Sequence, residues 1–568
     1  MFNFELYKEG LRKTKTLGIL FIVGMLLGAV AQPLIEISNH VDSMRMGWLS
    51  RDSIIPVYSL RASFMMILAP LAGAPIITLS IFSFLNKRSD SDFYHAIPHK
   101  RETLFGSFIA SILTWVVGGM WLSTTVSVII YGVSSHAHVD ISSVIWAVLG
   151  MSAASLLVIA STALAMSITG NGLSNIVASG LILFLPRTLM FILVNIIVQA
   201  TLVVSSANFG ILGNHHYNII FGMLSGFNMW GFDDTFTIGT IYTLVLGVLY
   251  LIIARILFKK RHSELAGNPG TNLIQHIIRI AVTFVITLPA IINIINNNDD
   301  YRFNNSDMVI VVYIVAAFSY FAYEFFTTKR IPRLTKMIPG LVVVAVLNII
   351  FIVGINISRN AILQEINVAD IQDVIIIDLE SSQWWQPTYA DLNMRGLEIA
   401  DEEIVDFFGG TLNSNIARFS RRGGPEGFQT WNHTEVRVRF NIDGGRNLTR
   451  SVWVANPRLS RQLREYEPYQ EIFMQMPENP DYIFIGAGHR ELLTQEQFHN
   501  IYEVLREEVA LLEFEDWYDK VAHLGIGSRG SEYEIEVSGR NFTSIFPIIE
   551  ELTSRTFELL ESYLGIED

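Results

Sequence analysis

Nine stretches of about twenty consecutive, mostly apolar residues dominate the first two thirds of this chain, and a helix of that length crosses a hydrocarbon core roughly 30 Å thick. They run at 16–35, 62–85, 104–131, 144–168, 173–204, 238–258, 277–295, 308–326 and 337–357. One ordinary soluble core has no room for so many uninterrupted apolar runs. Composition agrees, because 51% of the 568 residues are hydrophobic and only 16% are charged. The charge is unevenly spread: residues 1–360 carry 23 Lys and Arg against 16 Asp and Glu, whereas residues 361–568 carry 17 against 37. The formal charge of −13 therefore divides into +7 and −20, with a change of character near residue 360. The expected fold is a polytopic α-helical membrane protein of about nine spans with a C-terminal soluble α+β domain.

The distribution of Lys and Arg tests that parse, since cytoplasmic loops collect them. Lys8, Arg12, Lys13 and Lys15 precede the first run, and Lys87, Arg88, Lys100 and Arg101 follow the second. Lys259, Lys260 and Arg261 follow the sixth, and Lys329, Arg330, Arg333 and Lys336 the eighth. Only Arg45, Arg51, Arg61 and Arg302 fall in the alternate loops. The amino terminus is accordingly expected in the cytoplasm and the acidic C-terminal domain outside, in a multi-pass plasma-membrane protein. The first run has a second reading: basic residues, the apolar 17–28 and the triplet Ala29-Val30-Ala31 resemble a cleavable signal peptide. Cleavage would leave the other eight spans and their orientation unchanged. Gly24-x-x-x-Gly28 favours a retained, closely packed helix.

Several functions are excluded or disfavoured by residue type. The acidic surplus argues against a nucleic-acid partner, which needs a basic stripe. The absence of cysteine excludes disulfides, thiolate catalysis and Cys-type zinc sites. His136-x-His138-x-Asp140 and His215-His216 lack the spacing of a known zinc helix, so no metal is assigned. Arg187, beside Pro186 in the fifth run, is a cation deep in an apolar stretch, where a charge costs roughly 3 kcal/mol or more unless it faces a cavity or partner. It is a candidate translocation-path residue, unless Pro186 breaks the run and places it at a bend nearer an interface. Arg255, Arg279 and Glu324 lie near the expected cytoplasmic ends and are expected to snorkel.

The most informative loop is 86–104. A plain connection needs only polar residues, yet Phe93, Tyr94, His95 and Ile97 stand ahead of Pro98 among basic residues, as a short amphipathic element that can seat aromatic rings in a partner's groove. The competing reading is an interfacial loop anchored by aromatics and cations. The run Ser91-Asp92-Phe93-Tyr94-His95-Ala96-Ile97-Pro98-His99-Lys100-Arg101-Glu102 resembles the coupling segment of bacterial ABC type-2 exporter permeases, with Ile97 in place of the usual Leu and Ala96 of the usual Ser. The resemblance implies a six-span permease core over 1–267, followed by three additional spans over 268–360. It implies that Asp92, Phe93, Tyr94 and His95 dock a separate ATPase subunit, that Pro98 shapes the turn, and that Arg101 and Glu102 make polar contacts to it.

Two further stretches fit the resemblance. Phe4, Tyr7 and Leu11 at helical spacing among Lys8, Arg12 and Lys13 read as an interfacial helix leading into the first span. Phe258 to Gly267 resembles the Lys/Arg-rich, Ser-Glu, Ala-Gly ending of these permeases, with Lys260, Arg261 and Glu264 as a second cytoplasmic motif; a stop-transfer signal is the plainer account. The segment 205–237 is expected to hold re-entrant helices. No Gly-x-x-x-x-Gly-Lys-Ser/Thr loop and no Gly-Lys pair occurs, so hydrolysis belongs to a partner. Implied partners are ABC ATPase subunits carrying ATP and Mg, a second permease copy or a homologous permease, and membrane lipid. No cofactor is expected on this chain and no enzymatic activity of its own.

Beyond residue 361 the pattern turns to short strands and amphipathic helices, expected to form an extracytoplasmic accessory domain. Strands are expected at 373–379, 435–442, 448–454, 482–485 and 533–537, and helices at 401–408, 495–512 and 542–563. Asp443-Gly444-Gly445 between alternating strands is a hairpin signal. That hairpin is similar to one in accessory C-terminal domains of some Firmicute ABC permeases. Trp384-Trp385 and Arg421-Arg422 could contact a ligand or headgroup, although packing within the domain is the simpler reading. The rival function from another class is a membrane sensor whose outside domain binds a ligand; a membrane-embedded enzyme has least support.

Overall fold

The computed structural model describes residues 2–46, 54–57, 64–206, 208–209, 234–268, 270–296, 305–328, 337–380, 389–420, 433–478, 482–485, 495–521, 533–538, 543–548 and 552–564. Among the described residues are nine helices long and apolar enough to cross a membrane: Lys15–Arg45, Met65–Asn86, Arg101–Val133, Ile141–Ile168, Gly172–Thr201, Ile238–Lys260, Leu273–Ile295, Asp307–Thr327 and Ile338–Ile362. The first runs ten residues past its predicted end, and in that extension Glu36 accepts from the Tyr131 hydroxyl, 2.5 Å away. The fifth is continuous from Gly172 to Thr201 with Pro186 inside it, so of the two readings of Arg187 the one that required a break at Pro186 does not hold.

The chain divides into two compact units, one of Met1–Ile196 with Phe209–Gly354 and the other of Ile197–Asn208 with Ile355–Asp568. In the helical unit the most buried of the nine is the fourth helix. Its small residues, including Ala147, Gly150, Ala154, Ala160 and Ala163, let neighbouring backbones approach closely. The ends assigned to one side by the charge pattern also meet in space: Asn175 Nδ2 donates to Asn86 Oδ1 (2.8 Å), joining the fifth helix to the second. At the opposite ends β1 (Ile55–Val57) pairs in parallel with β2 (Ala137–Val139). This grouping is what alternating helices require.

The seventh and eighth helices correct one expectation. Arg279 and Glu324 do not reach for an interface; they form a buried ion pair of 2.9 Å, with side chains 2% and 6% exposed. The guanidinium also sits 4.6 Å from the centre of the Tyr320 ring. Two adjacent helices let opposite charges neutralise each other in place, which removes the reason to snorkel. Thr287 donates to Asn348 (2.9 Å), tying the seventh helix to the ninth.

The second unit carries a four-stranded antiparallel sheet in the order β4 (Glu398–Ile399), β3 (Ile371–Glu380), β5 (His433–Ile442), β6 (Arg446–Ala455). Gly444 and Gly445 take φ of +85° and +74° in the β5–β6 turn, the left-handed backbone that makes this hairpin a glycine site. One sheet face, with Val374, Ile376, Val436, Val438 and Phe440, packs on Phe408, Leu412, Ile416 and Phe419 of the helix Glu402–Phe419. A second antiparallel sheet has the order β7 (Tyr482–Ile485), β8 (Tyr533–Ser538), β9 (Thr543–Ile548). The helix expected over 542–563 is therefore corrected: its first part is β9, and only Ser554–Leu564 is helical. β-Branched Thr543, Ile545 and Ile548 suit a strand, and the edge position of β9 accommodates Pro547.

Residues 197–208 are an integral part of this second unit. Ser451 N–H donates to the Val203 carbonyl (2.9 Å), Trp453 Nε1–H to that of Leu202 (2.5 Å), and Asn208 Nδ2 to that of Thr449 (3.0 Å). Leu202 adopts φ +51°, and Val203 is fully buried in the sheet–helix core. Val203→Asp puts an unpaired carboxylate there and is expected to destabilise the unit by about 3 kcal/mol or more. Limited proteolysis of the whole chain reads this as faster cleavage beyond residue 361; an unchanged cleavage rate would contradict the assignment.

Candidate docking site on the helical unit

The connection between the second and third apolar helices folds as a nine-residue helix, Arg88–Ala96, entered from extended Lys87 and left through extended Ile97 ahead of Pro98. Helical spacing separates its faces. Ser91 and Tyr94, three apart, turn inward: Ser91 is fully buried, and the Tyr94 ring packs on Phe84 at 4.4 Å and against the edge of Phe108 at 6.0 Å. Lys13 Nζ stands 4.9 Å from the centres of both the Phe84 and Tyr94 rings while donating to the Ile81 carbonyl (2.9 Å). Burial pushes the Lys13 amine down, with Asp90 and Glu9 opposing, and pushes the Tyr94 phenol up. Asp92 and Phe93 face outward, Phe93 with 65% of its surface exposed.

Arg101 and Glu102 open the third apolar helix and are taken up within the chain. Arg101 Nη1 donates to the carbonyls of Arg261 (2.6 Å) and Lys259 (3.2 Å). Glu102 pairs with Arg255 at 2.7 Å and Lys259 at 2.9 Å. These contacts fasten the start of the third apolar helix to the end of the sixth. Of the residues assigned to docking, Asp92, Phe93 and Pro98 are exposed, Tyr94 seats the short helix, Arg101 and Glu102 join the third apolar helix to the sixth, and the His95 side chain lies outside the described set.

The second motif also divides. Lys260 and Glu264 are exposed, while Arg261 is 2% exposed. Its guanidinium donates to the carbonyls of Met166 and Thr169 at the end of the fourth helix and to that of Leu85 in the second (2.8 Å). Burial pushes it down to about 10, still charged at neutral pH. The following turn closes on the 169–172 loop through Gly267 N–H to the Gly170 carbonyl (2.8 Å). A Cβ on Gly170 would overlap the Leu265 carbonyl oxygen, so glycine is required there by contact.

Arg187 lies within the continuous fifth helix and is 6% exposed. His215-His216, Trp384-Trp385, Arg421-Arg422, Lys329, Arg330, Arg333, Lys336 and most of 205–237 lie outside the described residues. Among the described residues no group of three His, Asp or Glu side chains is placed to hold a metal ion.

The residues missed from sequence are Lys13, Phe84, Phe108 and Ser91, which seat the short helix, and Arg255 and Lys259, which hold Glu102. Spacing alone carried one signal, the three-residue step from Ser91 to Tyr94 against the outward Asp92 and Phe93. The resulting feature is a short helix seated on its inner face that presents an exposed aromatic ring, a carboxylate and a proline. No family model matches the chain, and no curated protein and no solved structure matches it.

Proposed function

We propose that this chain is the membrane permease subunit of an ABC transporter, moving substrate across the bacterial plasma membrane, in the export direction, driven by ATP hydrolysis on a separate ATPase. The observation that carries the reading is the knob of 88–98: an aromatic ring held out at 65% exposure by a neighbouring ring locked inward. An exposed Phe on a short helix is what a partner's apolar groove recognises. In this reading the nine apolar helices lie in the bilayer, the knob and amino terminus face the cytoplasm, and the 361–568 domain lies outside. Two permeases, identical or related, form the pathway. ATP-driven closure of the partner moves the two knobs, and the contacts of Arg101, Glu102 and Arg261 carry that movement to the ends of the second, third, fourth and sixth helices. The chain itself performs no hydrolysis and binds no cofactor.

Sidedness is testable because the chain has no cysteine. In right-side-out vesicles, an impermeant maleimide is expected to label Asn447→Cys, in the β5–β6 hairpin, and to spare Ser89→Cys until the membrane is opened. The reverse pattern would overturn the orientation. Capture of a nucleotide-hydrolysing partner by the detergent-solubilised chain tests the function itself.

A further inference from the structure

We infer that the helical unit carries a binding site for the acyl chain of an amphiphile, in a pocket between the third, fourth and sixth apolar helices. The pocket has a volume of about 610 Å³, within the range of roughly 300–1,000 Å³ typical of small-molecule sites. Its walls are apolar, with Trp146 and Leu149 of the fourth helix and Leu244 of the sixth exposed along it. Three hydroxyls also line it, and two are satisfied: Thr114 donates to the Ala110 carbonyl (3.0 Å) and Ser152 to that of Val148 (2.7 Å). Thr240 differs. Its residue is 7% exposed, and among the described residues its buried hydroxyl has no hydrogen-bond partner. An orphaned buried hydroxyl is a standing cost to the fold, which a ligand carbonyl or hydroxyl would offset.

The backbone supplies a second, independent sign. The third helix loosens into a π turn over Thr114–Gly118, and three of these five residues besides Leu113 form the pocket wall. Such turns cost helical regularity and concentrate at functional positions. Gly118, at the end of the turn, has no described atom within 4 Å of where a Cβ would stand. An elongated apolar group with one polar atom near Thr240 matches this lining, and in a bilayer the available molecules of that chemistry are acyl chains. The inference rests on the membrane placement proposed above and not on ATPase docking.

The test uses the full chain in lipid nanodiscs without any partner. Two diazirine probes are compared, a palmitate analogue and a phosphatidylglycerol bearing the group on one chain, with adducts located by mass spectrometry. Saturable labelling of the third, fourth and sixth helices is expected, and the probe that labels identifies a single-chain amphiphile or a bilayer lipid as the source. Gly118→Phe, which fills open space, should abolish it, while Gly132→Phe, also in open space but outside the pocket, should not. Thr240→Val should weaken retention about five-fold, the worth of one neutral hydrogen bond. Non-saturable labelling of all lipid-facing helices, indifferent to Gly118→Phe, would overturn the site. Absence of adducts on every apolar helix would overturn the membrane placement together with it.

Discussion

Arg261→Ala is expected to destabilise the helical unit by about 4 kcal/mol, because it leaves three buried carbonyls without their donor, each worth about 1–3 kcal/mol. Those carbonyls, of Leu85, Met166 and Thr169, end the second and fourth apolar helices, where no further helical turn can satisfy them. The main-chain carbonyl of residue 261, which accepts from Arg101, is kept in this variant, so the loss reads the guanidinium alone. Lysine is a poor replacement, since a single ammonium cannot fork between two helix ends as a guanidinium does. Thermal unfolding of the purified chain checks this. Lys260→Ala, one residue earlier and exposed, should lie within about 0.5 kcal/mol of the native chain. Equal stability of the two variants would show that the buried donor holds nothing together.

The second large effect separates Phe93 from Tyr94. Phe93→Ala removes an exposed ring and should leave unfolding unchanged, yet it should weaken capture of the proposed ATPase partner about 30-fold or more, the effect of deleting an aromatic anchor worth about 2 kcal/mol. Tyr94→Ala should do the opposite at first hand. It removes the ring packed on Phe84 and Phe108 beneath the Lys13 ammonium, and is expected to cost about 2–3 kcal/mol of stability. A double change at both positions would mix the two effects, so the single variants are the informative ones.

Which parts of this were legible beforehand follows from the range of the forces involved. Apolar runs of bilayer length are a local signal, and the nine helices lie where those runs lie. The β5–β6 hairpin was equally local, written in alternation around Asp443-Gly444-Gly445. Tertiary partners were not. Arg261 follows Lys259 and Lys260 in a run that reads as a solvated stop signal, and only the convergence of the 85, 166 and 169 carbonyls makes it a buried hub. Arg279 and Glu324 are 45 residues apart, and nothing in either helix alone announces the pair. Phe546 and Ile548 mimic helical spacing with their neighbours, whereas pairing with β8 decides for a strand. In sequence Val203 continues the apolar run of 173–204, and only the Ser451 N–H on its carbonyl marks it as part of the second unit.

The central claim is that the exposed ring of the 88–98 knob docks a separate ATPase. The most direct measurement is vanadate-sensitive ATP hydrolysis in the complex captured on the affinity-purified chain from its own membranes, for the native protein, Phe93→Ala and Lys260→Ala. The account expects activity with the native chain and with Lys260→Ala, and its loss with Phe93→Ala at unchanged thermal stability. Equal ATP hydrolysis bound to the native chain and Phe93→Ala, or none bound to either under conditions that preserve other membrane complexes, would contradict it.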